Sequence, residues 1–411
     1  RLKGLLTREF SLAEASFILM ASFFTSALLG AVRQILFNAQ FGVGMQANAY
    51  YAAFRLPDTL FSLVAGGALS SALIPVLLNT EREEGLAAAG RLISLVLTTL
   101  LVFFGVLVLV AEFFTPALVT KLLAPGFDDE TAGLTILLTR IMLLQPLILA
   151  VGSVATAVLN SKNRFLLSGL SIVSHNVALI IGILAVRLLP QLGILGPTLG
   201  VVVGAFGQVA ILAPGLAGAG GSLRLAWQPG DARLGEVTRL LIPNGLAVGV
   251  NYAGNIVDTA FASTAGEQAG LAAIYNGWLL VGLPIALLGQ AVGQAAFPRL
   301  AAQAEQADWR SLRRTLWGAL AAAVALAVLA LLGLYAFGRP VIHLLFERGE
   351  FGAAAGDLTY RVLLAYAVAL PAFVATEVVT RALIALRDTR TPLLTNLVQL
   401  AVRALLMAWL V

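Results

Sequence analysis

Cysteine is absent from this chain of 411 residues. That excludes disulfides, thiolate metal sites and thiol redox chemistry. Histidine is nearly absent: His175 and His343 are the two present, too few and too distant in sequence to form a metal centre. Charge is scarce as well, at 11% of residues against the roughly 25% of soluble domains. A soluble catalytic domain does not fit in such a composition. Phosphate-binding signatures are missing too: there is no GxxxxGK[ST], and the Gly-rich stretch at 216–222 has no following Lys-Ser or Lys-Thr. ATP does not power this chain, no nucleotide partner is implied, and no paired carboxylates or nucleophile–base cluster points to an enzyme.

What is present is hydrophobicity, 59% of the sequence. Apolar runs of about 20 residues recur throughout, the length of α-helical spans rather than barrel strands. The pattern predicts eleven spans, at 13–40, 48–78, 87–123, 131–159, 165–186, 194–216, 237–263, 271–300, 312–346, 358–386 and 392–411. No cleavable signal peptide is visible, because the first apolar run is too long. A start at Arg1 and an end inside an apolar run read as a fragment lacking both ends.

The 26 Lys and Arg fix an orientation. With the N-terminus inside, sixteen fall in cytoplasmic segments, and Lys121, Arg187, Arg339 and Arg348 fall outside. The other six (Arg33, Arg55, Arg140, Arg361, Arg381 and Arg403) lie within spans. Sixteen against four predicts a multi-pass protein of the cytoplasmic membrane with its N-terminus in the cytoplasm. The net charge of +5 is thus a topology signal and does not imply nucleic-acid binding.

The chain also repeats itself. Sequence around Pro75, Pro116 and Pro146 matches that around Pro298, Pro340 and Pro371, at offsets of 223, 224 and 225 residues. Six spans per half keep both halves in one orientation, the parallel-repeat arrangement of transporters that hold substrate between halves and alternate access by rocking. The expected fold is therefore an all-α polytopic membrane protein of two six-helix lobes. The N-lobe covers 1–220, a linker 221–236, and the C-lobe 237–411, the last lacking its sixth helix.

The stretch Ala27–Leu78 carries Arg33, Arg55 and Asp58 at membrane depth. A charge there costs about 2.5–3.5 kcal/mol even on the lenient insertion scale, and marks a substrate or ion path by default. Both guanidiniums suit the oxygens of a phosphate group. The structural alternatives are an Arg55–Asp58 pair at helical spacing, and snorkelling to an interface. Arg33 has no acid at i±3 or i±4. Glu377 and Arg381, spaced i,i+4, predict an intrahelical pair.

GMQANAYYAAFRLPDTLFSLVAGGALSSALIPVL, from Gly44 to Leu77, closely resembles the first loop and second helix of the bacterial lipid II flippase family (MurJ, also called MviN), within the multidrug/oligosaccharidyl-lipid/polysaccharide exporter superfamily. LRDTRTP at Leu386–Pro392 and NIVDTAFAS at Asn255–Ser263 are similar to further motifs of that family. The resemblance implies a flippase for lipid-linked cell-wall precursor, a lipid-linked oligosaccharide or muropeptide, with membrane lipids as its surroundings. Arg33 matches a cavity arginine of the family, whereas Trp278 stands where another is expected and Asn48 where an acid is usual, so the implied cavity is less charged. Asp258 and Asp388 match a sodium site of some members, and Asn255 and Thr259 could complete its shell. Sodium is the one cofactor the resemblance brings in. Competing readings are a flippase for another polyprenyl-linked glycan, a cation-coupled drug exporter, and a non-transporting cell-wall scaffold. Arg33 argues against the exporter, whose cavity should be acidic and largely free of arginine.

Overall fold

The computed structural model describes residues 10–62, 68–216, 225–264, 270–386, 388 and 390–410. Every regular element among them is helical. In chain order they are α1 (Leu12–Phe41), α2 (Met45–Ser62), α3 (Ala68–Glu84), α4 (Leu86–Leu118), α5 (Asp129–Met142), α6 (Leu144–Ser161), α7 (Phe165–Leu188), α8 (Leu195–Leu216) and α9 (Ala232–Thr264). Then come α10 (Gly270–Pro284), α11 (Ala291–Glu305), α12 (Trp309–Phe346), α13 (Ala353–Ala385) and α14 (Arg390–Leu410). Ten stretches of the described residues are long and apolar enough to cross a membrane. The expected span at 48–78 is represented by α2 and α3, with residues 63–67 outside the described ones. The expected linker at 221–236 lies partly outside them too, at 221–224.

Local breaks follow proline chemistry. The predicted span at 131–159 divides at Leu143 into α5 and α6. Pro146 lacks an N–H and its ring collides with the carbonyl four residues back, at Met142. Past Pro284 the predicted span at 271–300 widens into a π-helical turn, Ile285–Gln290, before α11. Such turns absorb a residue that the α-helical ladder cannot pair. The six repeat prolines all lie within helices, Pro75 in α3, Pro298 in α11, Pro116 in α4, Pro340 in α12, Pro146 in α6 and Pro371 in α13.

By packing, the chain groups into two compact units. Unit 1 comprises Arg1–Phe37 and Ala52–Ala260, and unit 2 comprises Asn38–Tyr51 and Phe261–Val411. The described part of the expected linker, 225–236, falls within unit 1, and the turn between α1 and α2 belongs to unit 2.

In unit 1, α7 and α8 approach closely because glycine lines their contact. Gly196, Gly200 and Gly204 recur every fourth residue along one face of α8, and a side chain at Gly200 would meet the Ala178 carbonyl at 3.1 Å. Between membrane helices, where lipid is as apolar as leucine, this close approach of backbones supplies the packing energy. Leu73, Leu77, Leu95 and Phe104 of α3 and α4, each 1% exposed or less, join Val154 and Val158 of α6 in the main apolar core.

In unit 2, the α1–α2 turn is fastened to the loop between α12 and α13. Gly42 has φ +59°, and a Cβ there would stand 2.6 Å from the Glu350 carbonyl oxygen. The Glu350 amide donates to the Ala39 carbonyl at 3.0 Å. Gly349 also adopts a positive φ, +57°, and a Cβ there would collide with the Ala39 carbonyl. Only glycine fits both the backbone conformation and the space. The expected Glu377–Arg381 ion pair does not form. Both stems instead lie against glycines of the facing segment, each about 3.0 Å from where a Cβ at Gly289 or Gly293 would be.

Candidate substrate and cation sites

Arg33 lies in α1 and is partly buried. Its Nη1 donates to Asn176 Oδ1 of α7 at 3.1 Å. The Asn176 amide is oriented by its own donor, Nδ2, which reaches Ser26 Oγ at 2.9 Å and the Ser26 carbonyl at 3.2 Å. No carboxylate pairs with Arg33 among the described residues. A guanidinium offers five donors. A neutral amide leaves its positive charge uncompensated, and that is the arrangement an anion would complete.

Arg55 of α2 has a partner of another kind. Its Nε donates to Thr259 Oγ1 of α9 at 3.0 Å. Thr259 is fully buried and donates in turn to the Asn255 carbonyl at 2.7 Å. Asp58, one turn on from Arg55, is within its electrostatic reach. Tyr252 of α9 lies within reach of Asp58. Arg55, Asp58, Asn255, Asp258 and Thr259 are thus all contributed by α2 and α9 of unit 1.

This bears on sodium. Asp258 has an enclosed carboxylate oxygen, and Asn255 lies one turn before it. Both are hard oxygen donors suited to sodium. The Thr259 hydroxyl already accepts from a guanidinium, and a second cation at that oxygen would be repelled. Among the described residues no group of three or more acids or histidines could hold a metal ion. Asp388 lies in unit 2 at the start of α14. Its Oδ1 accepts from the amides of Arg390 and Thr391, each at 3.0 Å, and its Oδ2 accepts from the Thr391 hydroxyl. That is an N-cap. The Thr391 bonds hold its carboxyl below its ordinary pKa.

The remaining candidates lie in unit 2. Asn48, 4% exposed, accepts from the Ala272 amide at 2.9 Å and so covers a backbone donor in the first turn of α10. Trp278, 42% exposed, stands edge-on to Tyr366 and Phe373, with ring centroids 5.4 and 5.5 Å apart. Sequence reasoning missed the polar pair beside them. Asn38 and Asn276, both fully buried, exchange amide hydrogen bonds of 2.9 and 3.3 Å. Tyr51 stacks on Tyr275 at 4.2 Å. The available signal was a set of asparagines inside apolar spans, which join helices when they meet.

A sequence profile for the family described as "Lipid II flippase MurJ" matches residues 37–411. A probable lipid II flippase MurJ of Rhizobium meliloti is 29% identical over 385 residues, covering 90% of this chain and 70% of the relative. The lipid II flippase MurJ of Burkholderia cenocepacia is 29% identical over 387 residues, covering 91% and 74%. Among solved structures, a lipid II flippase MurJ in an inward closed conformation superposes with a TM-score of 0.77 at 23% identity, over 92% of this chain and 78% of that one. An inward-facing multidrug resistance MATE family transporter of the MOP superfamily follows at 0.74 and 15%, over 92% and 84%. This fold is shared by exporters and flippases, and the profile separates them: the chain belongs to the lipid II flippase MurJ family.

Proposed function

We infer that this multi-pass membrane protein is a flippase, not an enzyme, and that it moves a lipid-linked cell-wall precursor of lipid II type from the inner to the outer leaflet. The observation that carries the mechanism is Arg33, a guanidinium at membrane depth whose protein partner is a neutral amide. Its fork matches the diphosphate of such a lipid. The headgroup passes by Arg33 while the isoprenoid tail stays in the membrane, and access alternates between the two faces. The muropeptide form of the headgroup is favoured by the family over another polyprenyl-linked glycan. A drug exporter lacks a reason to keep an uncompensated cation in α1. Sodium, held by Asp258 and Asn255, or the membrane potential, supplies the driving force. The cytoplasmic membrane with the N-terminus inside is supported by the sixteen-to-four distribution of Lys and Arg.

Rescue of a strain depleted of its lipid II flippase tests the reading. A full-length gene carrying this chain restores growth, and the same gene with Arg33→Ala does not. Failure of the unaltered gene, expressed and inserted, would overturn the assignment of substrate.

A further inference from the structure

Within unit 1, α4 and α9 leave a slot open along their contact. Its floor is apolar and buried: Val96 and Val237 are 2% exposed, Leu234 5% and Leu100 6%. Its rim is open, with Phe103 49% and Ile242 53% exposed. The groove measures about 340 Å³. Thr238 turns its hydroxyl back to the Leu234 carbonyl at 2.8 Å, so it adds no unsatisfied polarity.

One turn along α4, towards Leu86, the lining changes character. A second cleft, of about 390 Å³, is bordered by Glu84, Arg91, Asp231 and Arg233. Leu95 lines this cleft and its neighbour Val96 lines the groove, so polar and apolar compartments adjoin. The segment before α9 runs past the same place, where the Ala226 amide donates to Thr98 Oγ1 of α4 at 2.9 Å. It carries Leu225 and Trp227, 78% and 59% exposed. An exposed tryptophan there marks the depth of lipid headgroups.

The charges in the cleft are of both signs, and they are unequally satisfied. Arg233 is taken up by Glu83 and Glu84. Arg91 meets the neutral amide of Gln228 and no carboxylate among the described residues. Glu84 receives the Arg233 Nε bond at 2.9 Å and remains half exposed. A carboxylate has room for about four hydrogen bonds. The cleft therefore presents a cation suited to a phosphate beside carboxylates suited to an ammonium, directly above an apolar groove.

We propose that this slot binds one bilayer phospholipid with a phosphoethanolamine headgroup. Its phosphate sits at Arg91, its ammonium between Glu84 and Asp231, and one acyl chain lies in the groove between α4 and α9. An anionic lipid meets Glu84 and Asp231 without a compensating cation of its own. The site is separate from Arg33 and independent of which lipid-linked precursor is carried.

Native mass spectrometry of the detergent-solubilised protein with added palmitoyl-oleoyl phosphatidylethanolamine or phosphatidylglycerol tests the site. The parent retains one phosphatidylethanolamine in about tenfold preference to phosphatidylglycerol, equivalent to ~1.4 kcal/mol. Glu84→Gln erases that preference, Arg91→Ala lowers retention of both lipids, and Thr238→Phe lowers it by filling the groove. Equal retention of the two lipids by the parent would overturn the proposal. So would unchanged phosphatidylethanolamine retention in both Arg91→Ala and Thr238→Phe, each checked for an unaltered thermal transition.

Discussion

Along α1 two polar clusters follow within a turn and a half of each other, and they are built on opposite terms. Asn38 and its partner Asn276 are fully buried, neutral and reciprocally bonded, with the Asn276 amide also donating to the Ala272 carbonyl at 3.0 Å. Arg33 is partly buried, charged, and bonded to the neutral Asn176. The first cluster has its valences met and acts as a fastener inside unit 2. The second keeps a charge that no carboxylate among the described residues neutralises. Polarity inside a membrane helix is therefore not by itself a sign of function. Excess valence is the sign, because its cost persists until a ligand or water meets it.

The comparison can be broken first at the fastener. Gly42→Ala forces a side chain into a positive φ and against the Glu350 carbonyl at 2.6 Å. A destabilisation of about 2–4 kcal/mol is expected, read as a large drop in the melting temperature of the solubilised protein. A parent-like transition would show that the turn is not held as described. Next comes the amide pair itself. Asn38→Leu strands the Asn276 amide at a cost of about 1–3 kcal/mol, whereas Asn38→Leu with Asn276→Leu costs less than the sum of the two single changes. Strict additivity in a double-mutant cycle would mean that the two amides do not depend on each other.

Smaller effects sharpen the contrast between the acids. If Asp258 holds sodium as proposed, Asp258→Asn, which puts an amide in place of the charged oxygen, is expected to abolish sodium-dependent thermal stabilisation. Equal stabilisation of the parent by sodium and by a bulky organic cation removes the case for a sodium site. Asp388→Asn keeps a capping oxygen for the Arg390 and Thr391 amides and is expected to lose only the charge at the helix start. The carboxyl of Asp388 titrates below its ordinary value in the folded protein, so its stabilising effect is present near neutral pH and fades as the pH falls through that lowered value. Parent and Asp388→Asn should accordingly differ slightly in melting temperature at neutral pH and converge in acid. A difference that grows in acid contradicts the cap.

Helix positions were legible because twenty-residue apolar runs and proline leave strong local marks. The ends of α1, α7 and α8 fall within a few residues of the predicted ones. Arg33 was legible for the same reason, as a charge in an apolar run without an acid at helical spacing. Its partner was not: Asn176 lies 143 residues away and reads locally as one more polar residue in α7. Asn38 and Asn276, 238 residues apart, meet through tertiary packing that no local pattern encodes. The Glu377–Arg381 expectation failed because spacing permits an ion pair but does not require one where facing glycines accept the stems. Asp388 matched a family motif, and its local sequence, Asp-Thr-Arg-Thr before a helix, could equally have been read as a cap.

The central claim is that Arg33 contacts the phosphates of the transported lipid, and direct binding tests it. Purified parent, Arg33→Lys and Arg33→Ala proteins are titrated with an undecaprenyl-diphosphate lipid, with Asn38→Leu as a control for general destabilisation. The account predicts tight binding by the parent, weakened binding by Arg33→Lys, which keeps the charge but loses the planar fork, and none by Arg33→Ala. Asn38→Leu should bind as the parent does wherever it is folded. Parent-like affinity in a well-folded Arg33→Ala protein would contradict the account and make Arg33 a structural residue.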